Sequence, residues 1–236
     1  MESRFSFTSK PAPCEYLPDR LRQTRYEFRP TIQLHEYSGR LRQGWRRFGP
    51  ILFRPECPSC RMCQSLRVPV IAFRPSQGQR RAWKKNEGEV ALRIGTPSIS
   101  PEKIDLFARF HHHGRAAKGW PEENDVSLDL FVSNPFPTEE WSYFVDGRLV
   151  GVGYVDVLAE GLSAIYFAHD PEEGKRSLGT FNILTMIEAA RTRGLPHVYL
   201  GYFVEGCRSL EYKRTFRPNE VLLEGGRWGS PLAASS

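Results

Sequence analysis

SAIYFAHDPEEGKRSLGTFNILTMIEAARTR, residues Ser163 to Arg193, holds a strand, a stop and a helix in that order. Ser163 to Ala168 mixes small, branched and aromatic residues, the composition of a short buried strand. Asp170-Pro171 ends it, because Pro171 has no N–H for a ladder and pushes the residue before it toward extended geometry. Glu172, Glu173, Gly174 and Lys175 are loop composition. From Ser177 the apolar residues recur at Leu178, Phe181, Ile183, Leu184, Ile187 and Ala190, a helical period. Ser177 is the expected N-cap, Arg191 and Arg193 complement the negative end of the helix, and Gly194 with Pro196 closes it. A chain that turns through Arg176-Ser177-Leu178-Gly179-Thr180-Phe181 into a helix leaves free N–H groups at a positive helix end, which is a cradle for phosphate. An ordinary capped helix, with Gly179 admitting a close strand, accounts for the same residues.

Upstream, a three-strand meander leads into this helix: Trp141–Val145, a hairpin turn at Asp146-Gly147, Leu149–Leu158, a turn at Glu160-Gly161, then Leu162–Ala168. Before it, a helix starts at Ser100-Pro101 with Glu102 in its first turn and Ile104, Phe107 and Phe110 on one face. Its tail holds His111, His112 and His113, whose side chains point in different directions and cannot form one tripod; they are read as mainly structural, with one facing the site. Trp120 to Phe136 is loop and one short helix. Downstream come a strand at His197–Phe203, a short helix at Cys207–Arg214 and a last strand at Asn219–Leu223. Helix, helix, three antiparallel strands, helix, strand, helix, strand is the order of GNAT-type N-acyltransferases, and Arg176-x-x-Gly179-x-Phe181 resembles their phosphate loop, with Phe181 in the last small position. The expected fold is therefore α+β: a GNAT-like mixed sheet flanked by helices over residues 96–225. A smaller, basic, cysteine-containing α+β domain precedes it over 1–95, and 226–236 is a tail. The looser stretch with Gly95, Pro97, Ser98 and Ser100 sets the boundary.

The front of the chain differs in charge from the rest. Residues 1–90 carry 18 lysines and arginines against 8 acids, although the whole chain is only +6. That clustering suits a polyanion, and a solvated arginine-rich surface is the plainer reading. Many of the 18 prolines fall here, so short strands and loops are expected, with one helix over Leu34 to Trp45. No run of about 18 apolar residues is present to cross a bilayer, and the N-terminus lacks the apolar core of a signal peptide, so a cytoplasmic chain is expected. Its 5 cysteines are then metal ligands or reduced thiols. Cys57, Cys60 and Cys63 form a C-x2-C-x2-C array, with Cys14 available as a fourth ligand; zinc, an iron–sulfur cluster and plain reduced thiols all fit. Next, Arg80, Arg81, Lys84 and Lys85 surround Trp83: cations for phosphates and an indole to stack on an unpaired base. RNA suits this better than DNA, since no helix-turn-helix or zinc-finger pattern accompanies it. A charged solvent face anchored by Trp83 is the alternative.

Several motifs combine along the chain: Pro13-Cys14-Glu15-Tyr16-Leu17-Pro18-Asp19-Arg20, Phe53-Arg54-Pro55 with the cysteine array, and Pro75-Ser76-x-x-Gln79-Arg80-Arg81. Asp170-Pro171-Glu172-Glu173-x-x-Arg176-Ser177-Leu178-Gly179, Tyr199-Leu200-Gly201-Tyr202 and Tyr212-Lys213-x-x-Phe216-Arg217-Pro218 complete them. From about Phe5 to Leu223 the chain resembles the N-end rule aminoacyl-tRNA–protein transferases, and is most similar to the bacterial aspartate/glutamate leucyltransferase branch; eukaryotic members transfer arginine. The resemblance implies that leucine or arginine passes from charged tRNA to the α-amino group of proteins beginning with Asp or Glu, with no cofactor for the transfer, no DNA and no membrane. Asp170 is the expected group that orients the amine or relays its proton, with Tyr166 and Tyr202 as hydrogen-bonding partners. Arg176, Ser177 and Gly179 would hold terminal tRNA phosphates, and Arg80, Arg81, Trp83, Lys84 and Lys85 would bind tRNA more broadly. Arg74, Arg176 and Lys213 are the candidates to read the acidic N-terminal residue. Two other classes stay open. A CoA-dependent N-acetyltransferase would bind acetyl-CoA, and a non-catalytic RNA-binding module would bind tRNA without transfer.

Overall fold

The computed structural model describes residues 5–118 and 127–231. Residues 1–4, 119–126 and 232–236 lie outside the described residues, so the reading of Trp120 to Phe136 as loop and short helix, and that of the tail, fall partly outside them. The front of the chain is β1 (Phe5–Thr8), β2 (Ala12–Pro13), β3 (Leu21–Arg22), β4 (Thr24–Phe28), α1 (Leu34–Arg42), β5 (Arg46–Phe48), β6 (Ile51–Pro55) and β7 (Gln64–Pro69). Next come α2 (Gln77–Asn86), β8 (Ala91–Gly95), α3 (Pro101–Lys118) and the single turn α4 (Asp129–Val132). The rear is β9 (Thr138–Val145), β10 (Arg148–Leu158), β11 (Gly161–His169), α5 (Leu178–Thr192), β12 (His197–Phe203), α6 (Arg208–Glu211), β13 (Glu220–Leu222) and β14 (Trp228–Gly229).

Eight strands form one mixed sheet in the order β14-β13-β7-β12-β11-β10-β9-β8, and β1-β4-β6-β5 form a second, smaller one. The β9–β10 hairpin closes through Asp146 and Gly147, both at positive φ, which matches the right-handed twist of the flanking strands. Helix α5 buries Leu178, Phe181, Leu184 and Ile187 against one face of the large sheet, in a cluster with Val150, Leu162 and Val198, and Trp83 of α2 packs on the same cluster. On the other face, α3 buries Leu106, Phe107 and Phe110 against Val152, Tyr154 and Ala168. The small sheet and α1 join that same face through Tyr37, Leu41, Trp45 and Leu52, which pack with Leu158 and Tyr199. The mixed sheet flanked by helices that the order of elements predicts is present. Among the described residues, no helix is long and apolar enough to cross a membrane.

Two local expectations change. Ser177 stands at the N-terminus of α5, but its backbone is left-handed (φ 54°) and its side chain makes no cap bond; its N–H instead closes the preceding 3-10 turn on Gly174. The basic stretch before Asn86 is a helix, α2. Its composition carries no apolar stripe, and the legible signal is the capping box in which Ser76 and Gln79 satisfy each other's backbone N–H groups.

Candidate active site

Strands β11 and β12 run parallel, yet they pair only over Gly161–His197, Leu162–Val198 and Ser163–Tyr199. Beyond that point β12 continues against β7, and β11 carries one extra residue, Ile165, opposite β10. The strands therefore diverge toward their C-terminal ends and open a wedge, the place where open α/β sheets receive ligands. Arg46 of β5 enters the wedge. Its Nη1 donates to Ser163 Oγ at 2.9 Å and its Nη2 to the Ala164 carbonyl. Gly201 lies beside it at φ +81°, a backbone conformation that favours glycine, and a Cβ there would reach ordinary contact with Arg46 Nε at 3.5 Å. The same glycine forms a bulge that turns Tyr202 toward the small sheet, where its hydroxyl donates to the Gly44 carbonyl at 2.8 Å. The Tyr202 carbonyl accepts from Lys213 Nζ at 2.9 Å.

Two cations thus meet at the wedge. Burial, and next the charge of Arg46, push the half-buried Lys213 down to about 7. Burial likewise lowers Arg46. Neither has a carboxylate partner among the described residues: Arg46 is bonded to Ser163 and Ala164, and Lys213 to the Tyr202 carbonyl. Reading the sequence missed Arg46, because Trp45-Arg46-Arg47-Phe48 looks like surface charge between two aromatics. Strand alternation sends Arg46 to the wedge and Arg47 to a buried pair with Asp156 at 2.5 Å.

Asp170 stands at the end of β11, fully buried. One carboxylate oxygen accepts from Arg109 at 2.7 Å and from the Glu172 N–H at 3.0 Å, and the other accepts from Arg148. Burial alone would raise this carboxyl, but the bonds from Arg109, the Glu172 N–H and Arg148 outweigh it and hold it below its ordinary value. A carboxylate so occupied is a weak proton acceptor and a strong anchor for the turn that follows. Tyr166 meets His111 Nε2 at 2.7 Å, and its ring stacks on Phe107; of the three histidines, His111 is buried while His112 and His113 are exposed.

The phosphate-loop residues lie on the helix side of the sheet. Arg176 is ion-paired to Glu89 at 2.7 Å and Glu173 at 2.8 Å, and the space in front of Gly179 is open. Asn86 donates to the Arg176 carbonyl at 2.8 Å and so joins the end of α2 to this loop, which makes exposed Arg80, Arg81, Lys84 and Lys85 its neighbours. Trp83 turns inward against Phe181, with ring centroids 5.5 Å apart. Arg74 is exposed and folds back on the carbonyls of Ile71 and Phe73. Of the three candidates for an acidic residue, Lys213 is therefore the one the structure brings to the wedge.

Cys14, Cys57, Cys60 and Cys63 line one cavity of about 210 Å3, which Tyr26, Phe53 and Tyr202 also line. All are free thiols. Burial, and next the neighbouring Cys57, Cys14, Cys60 and Cys207, push Cys63 up to about 12. Among the described residues, no group of three or more His, Cys, Asp or Glu side chains is arranged to hold a metal ion. The thiols share a cavity without a ligand geometry.

Comparison with known proteins gives the family of the chain. Residues 12–81 match the family model for the N terminus of arginine-tRNA-protein transferase, and residues 102–223 match the one for its C terminus. An aspartate/glutamate leucyltransferase of Pseudomonas fluorescens is 35% identical over 225 residues, covering 94% of each chain. The proteins of that name from Nitrosococcus oceani and Campylobacter jejuni are 36% and 34% identical, covering 91% and 89% of each chain. Among solved structures, L-PGS from Bacillus licheniformis is similar to 74% of this chain and 51% of its own (TM-score 0.47, 13% identity). A conserved protein of unknown function from Staphylococcus epidermidis is similar over 96% and 69% (TM-score 0.42, 12% identity). With both halves matched in order and relatives aligned over most of their length, the chain belongs to the arginine-tRNA-protein transferase family of aminoacyltransferases.

Proposed function

We propose that the protein transfers leucine from charged tRNA to the α-amino group of proteins beginning with Asp or Glu. The names of its relatives support the donor and the acceptor. One observation supports the site: Arg46 and Lys213 meet at the wedge with no carboxylate partner among the described residues, and a carboxylate arriving there would neutralise charge already withdrawn from water. An acceptor whose N-terminal side chain lies against that pair presents its α-amine beside the wedge.

The reaction asks little covalent chemistry of the protein. The aminoacyl ester is already activated, so holding two reactants in one orientation supplies much of the acceleration. The amine nitrogen bonds to the ester carbonyl carbon, the bond to the ribose oxygen breaks, and the proton lost by the amine balances the one the ribose oxygen gains. Arg46, fixed by Ser163 and Ala164, supplies positive potential where the tetrahedral oxyanion develops. Asp170 is a positioning residue for the turn after β11. Tyr166 and Tyr202, their hydroxyls engaged by His111 and Gly44, are walls of the site. Arg80, Arg81, Lys84 and Lys85, with the loop of Arg176, Ser177 and Gly179, offer a basic surface for tRNA phosphates, and Trp83 braces it from beneath. No step runs through the cysteine cavity.

Transfer of labelled leucine and, separately, labelled arginine from charged tRNA to peptides starting with Asp, Glu, Lys or Ala tests the proposal. Leucine appearing on the Asp and Glu peptides is expected. Arginine on those peptides would replace the donor and keep the site, and no transfer to any peptide would overturn the reading.

A further inference from the structure

The small sheet has an aromatic face that continues into the active site. Register places Phe5 beside Phe28 and Phe7 beside Tyr26 across β1 and β4, then Tyr26 beside Phe53 of β6, and Phe53 beside Arg46 of β5. Residues opposite one another share a face, so Phe7, Tyr26, Phe53 and Arg46 form one row, with Phe5 and Phe28 in the next row on the same face. The outer end of that face is bare: Phe5, Phe7 and Phe28 are 63%, 48% and 40% exposed. Ring follows ring inward, Phe5 to Phe7 at 5.6 Å, Phe7 stacked on Tyr26 at 5.1 Å, and Phe53 edge-on to Tyr202 at 6.2 Å. Tyr202 is the residue whose carbonyl holds Lys213. The row therefore runs from the sheet edge to the two cations of the wedge.

Exposed aromatic surface of this kind signals a partner. Two facts select which. The row ends where the aminoacyl ester must arrive, and it belongs to the part of the chain with 18 basic against 8 acidic residues, which attracts a polyanion. Acceptor proteins have in common only their first residue, whereas every charged tRNA presents an unpaired 3′ end, and every base has a face to stack on a ring. Sheets that carry exposed aromatics bind single-stranded RNA in this way. We propose that Phe5, Phe7, Tyr26 and Phe53 form a stacking platform for the unpaired 3′ nucleotides of the charged tRNA, which leads the aminoacyl ester to Arg46 and Lys213. The inference rests on the proposed tRNA donor.

The test uses the full chain, a double variant Phe5→Ala/Phe7→Ala, and Phe7→Trp as the conservative control. Both exposed phenylalanines lie outside the wedge, so folding is retained and is checked by the melting temperature. Two quantities are measured: affinity for a labelled six-nucleotide RNA ending in CCA, and KM and kcat with charged tRNA. Loss of each ring is expected to weaken RNA affinity and raise the KM for charged tRNA by about tenfold. The kcat and the KM for an Asp-starting peptide stay unchanged, and Phe7→Trp behaves as wild type. RNA affinity and tRNA KM unchanged in the double variant would overturn the platform. A raised peptide KM with unchanged tRNA KM would overturn it in favour of the acceptor protein, and a change confined to self-association in favour of a second copy of the chain. If wild type fails to transfer from charged tRNA while still binding the RNA through these rings, the reaction reading falls and the platform stands.

Discussion

At Lys213, burial and the neighbouring guanidinium of Arg46 hold the ammonium near about 7 instead of its ordinary 10.5. Below that value the side chain is charged and attracts a carboxylate; above it the attraction fades, and a bound carboxylate moves the fall somewhat upward. The ratio of affinities for Asp-starting over Asn-starting peptides should therefore fall as pH rises through and beyond about 7, the α-amines titrating alike and cancelling. Lys213→Met should lower that ratio about tenfold at the acidic end and flatten its pH dependence, as peptide titrations at several pH values would measure. The same shift acts on stability. The unfolded chain keeps this proton up to about 10.5, so the cost of burying the charge is fully present below about 7 and is relieved as pH rises between the two values. Lys213 was legible because it stands in a long motif, Tyr212-Lys213-x-x-Phe216-Arg217-Pro218. Arg46 was not, because its partners Ser163 and Ala164 lie more than a hundred residues away and no local spacing encodes them. Asp170 was legible as a special position, but its anchoring role depends on Arg109 and Arg148, each on a different element.

At the scale of elements, the periodic helices and the meander were plain from sequence, and their departures come at the ends. Helix α5 follows its apolar period from Leu178 to Thr192, yet the turn before it places Ser177 in the left-handed region at φ 54° and ψ 45°. A side chain there is strained by about 1 kcal/mol, and no cap bond offsets it. Ser177→Gly should accordingly raise unfolding free energy by about 0.5–1 kcal/mol in urea, whereas an N-cap serine would lose stability on the same change. Helix α2 shows the opposite case. Its buried side is only Gln79, Ala82 and Asn86, so its signal lay in the cap and not in a period. The wedge itself was invisible: a strand pair that stops after three residues looks, in sequence, like one that continues.

For the molecule as a whole, one buried polar group strengthens the joint between the sheets, beside the apolar packing of Tyr37, Leu41, Trp45 and Leu52. Asp156 accepts two bonds from Arg47, one from Tyr37 and one from Thr138, and the Arg47–Asp156 pair is wholly shielded from solvent. Removing the carboxylate strands a buried guanidinium, so Asp156→Ala should cost about 3–5 kcal/mol, read as a lower melting temperature. Because the joint also carries β5, catalytic transfer should decline with it while RNA binding to the exposed rings of β1 persists below the transition. Charge spacing could not announce this pair, whose members are 109 residues apart. The same architecture sets an order of events during synthesis. Strand β7, made early, lies between β12 and β13, which are made last, so its ladder positions wait for partners still inside the ribosome. At ordinary elongation rates that interval is roughly ten to thirty seconds, long enough for an unpaired apolar strand to need shelter from other nascent chains.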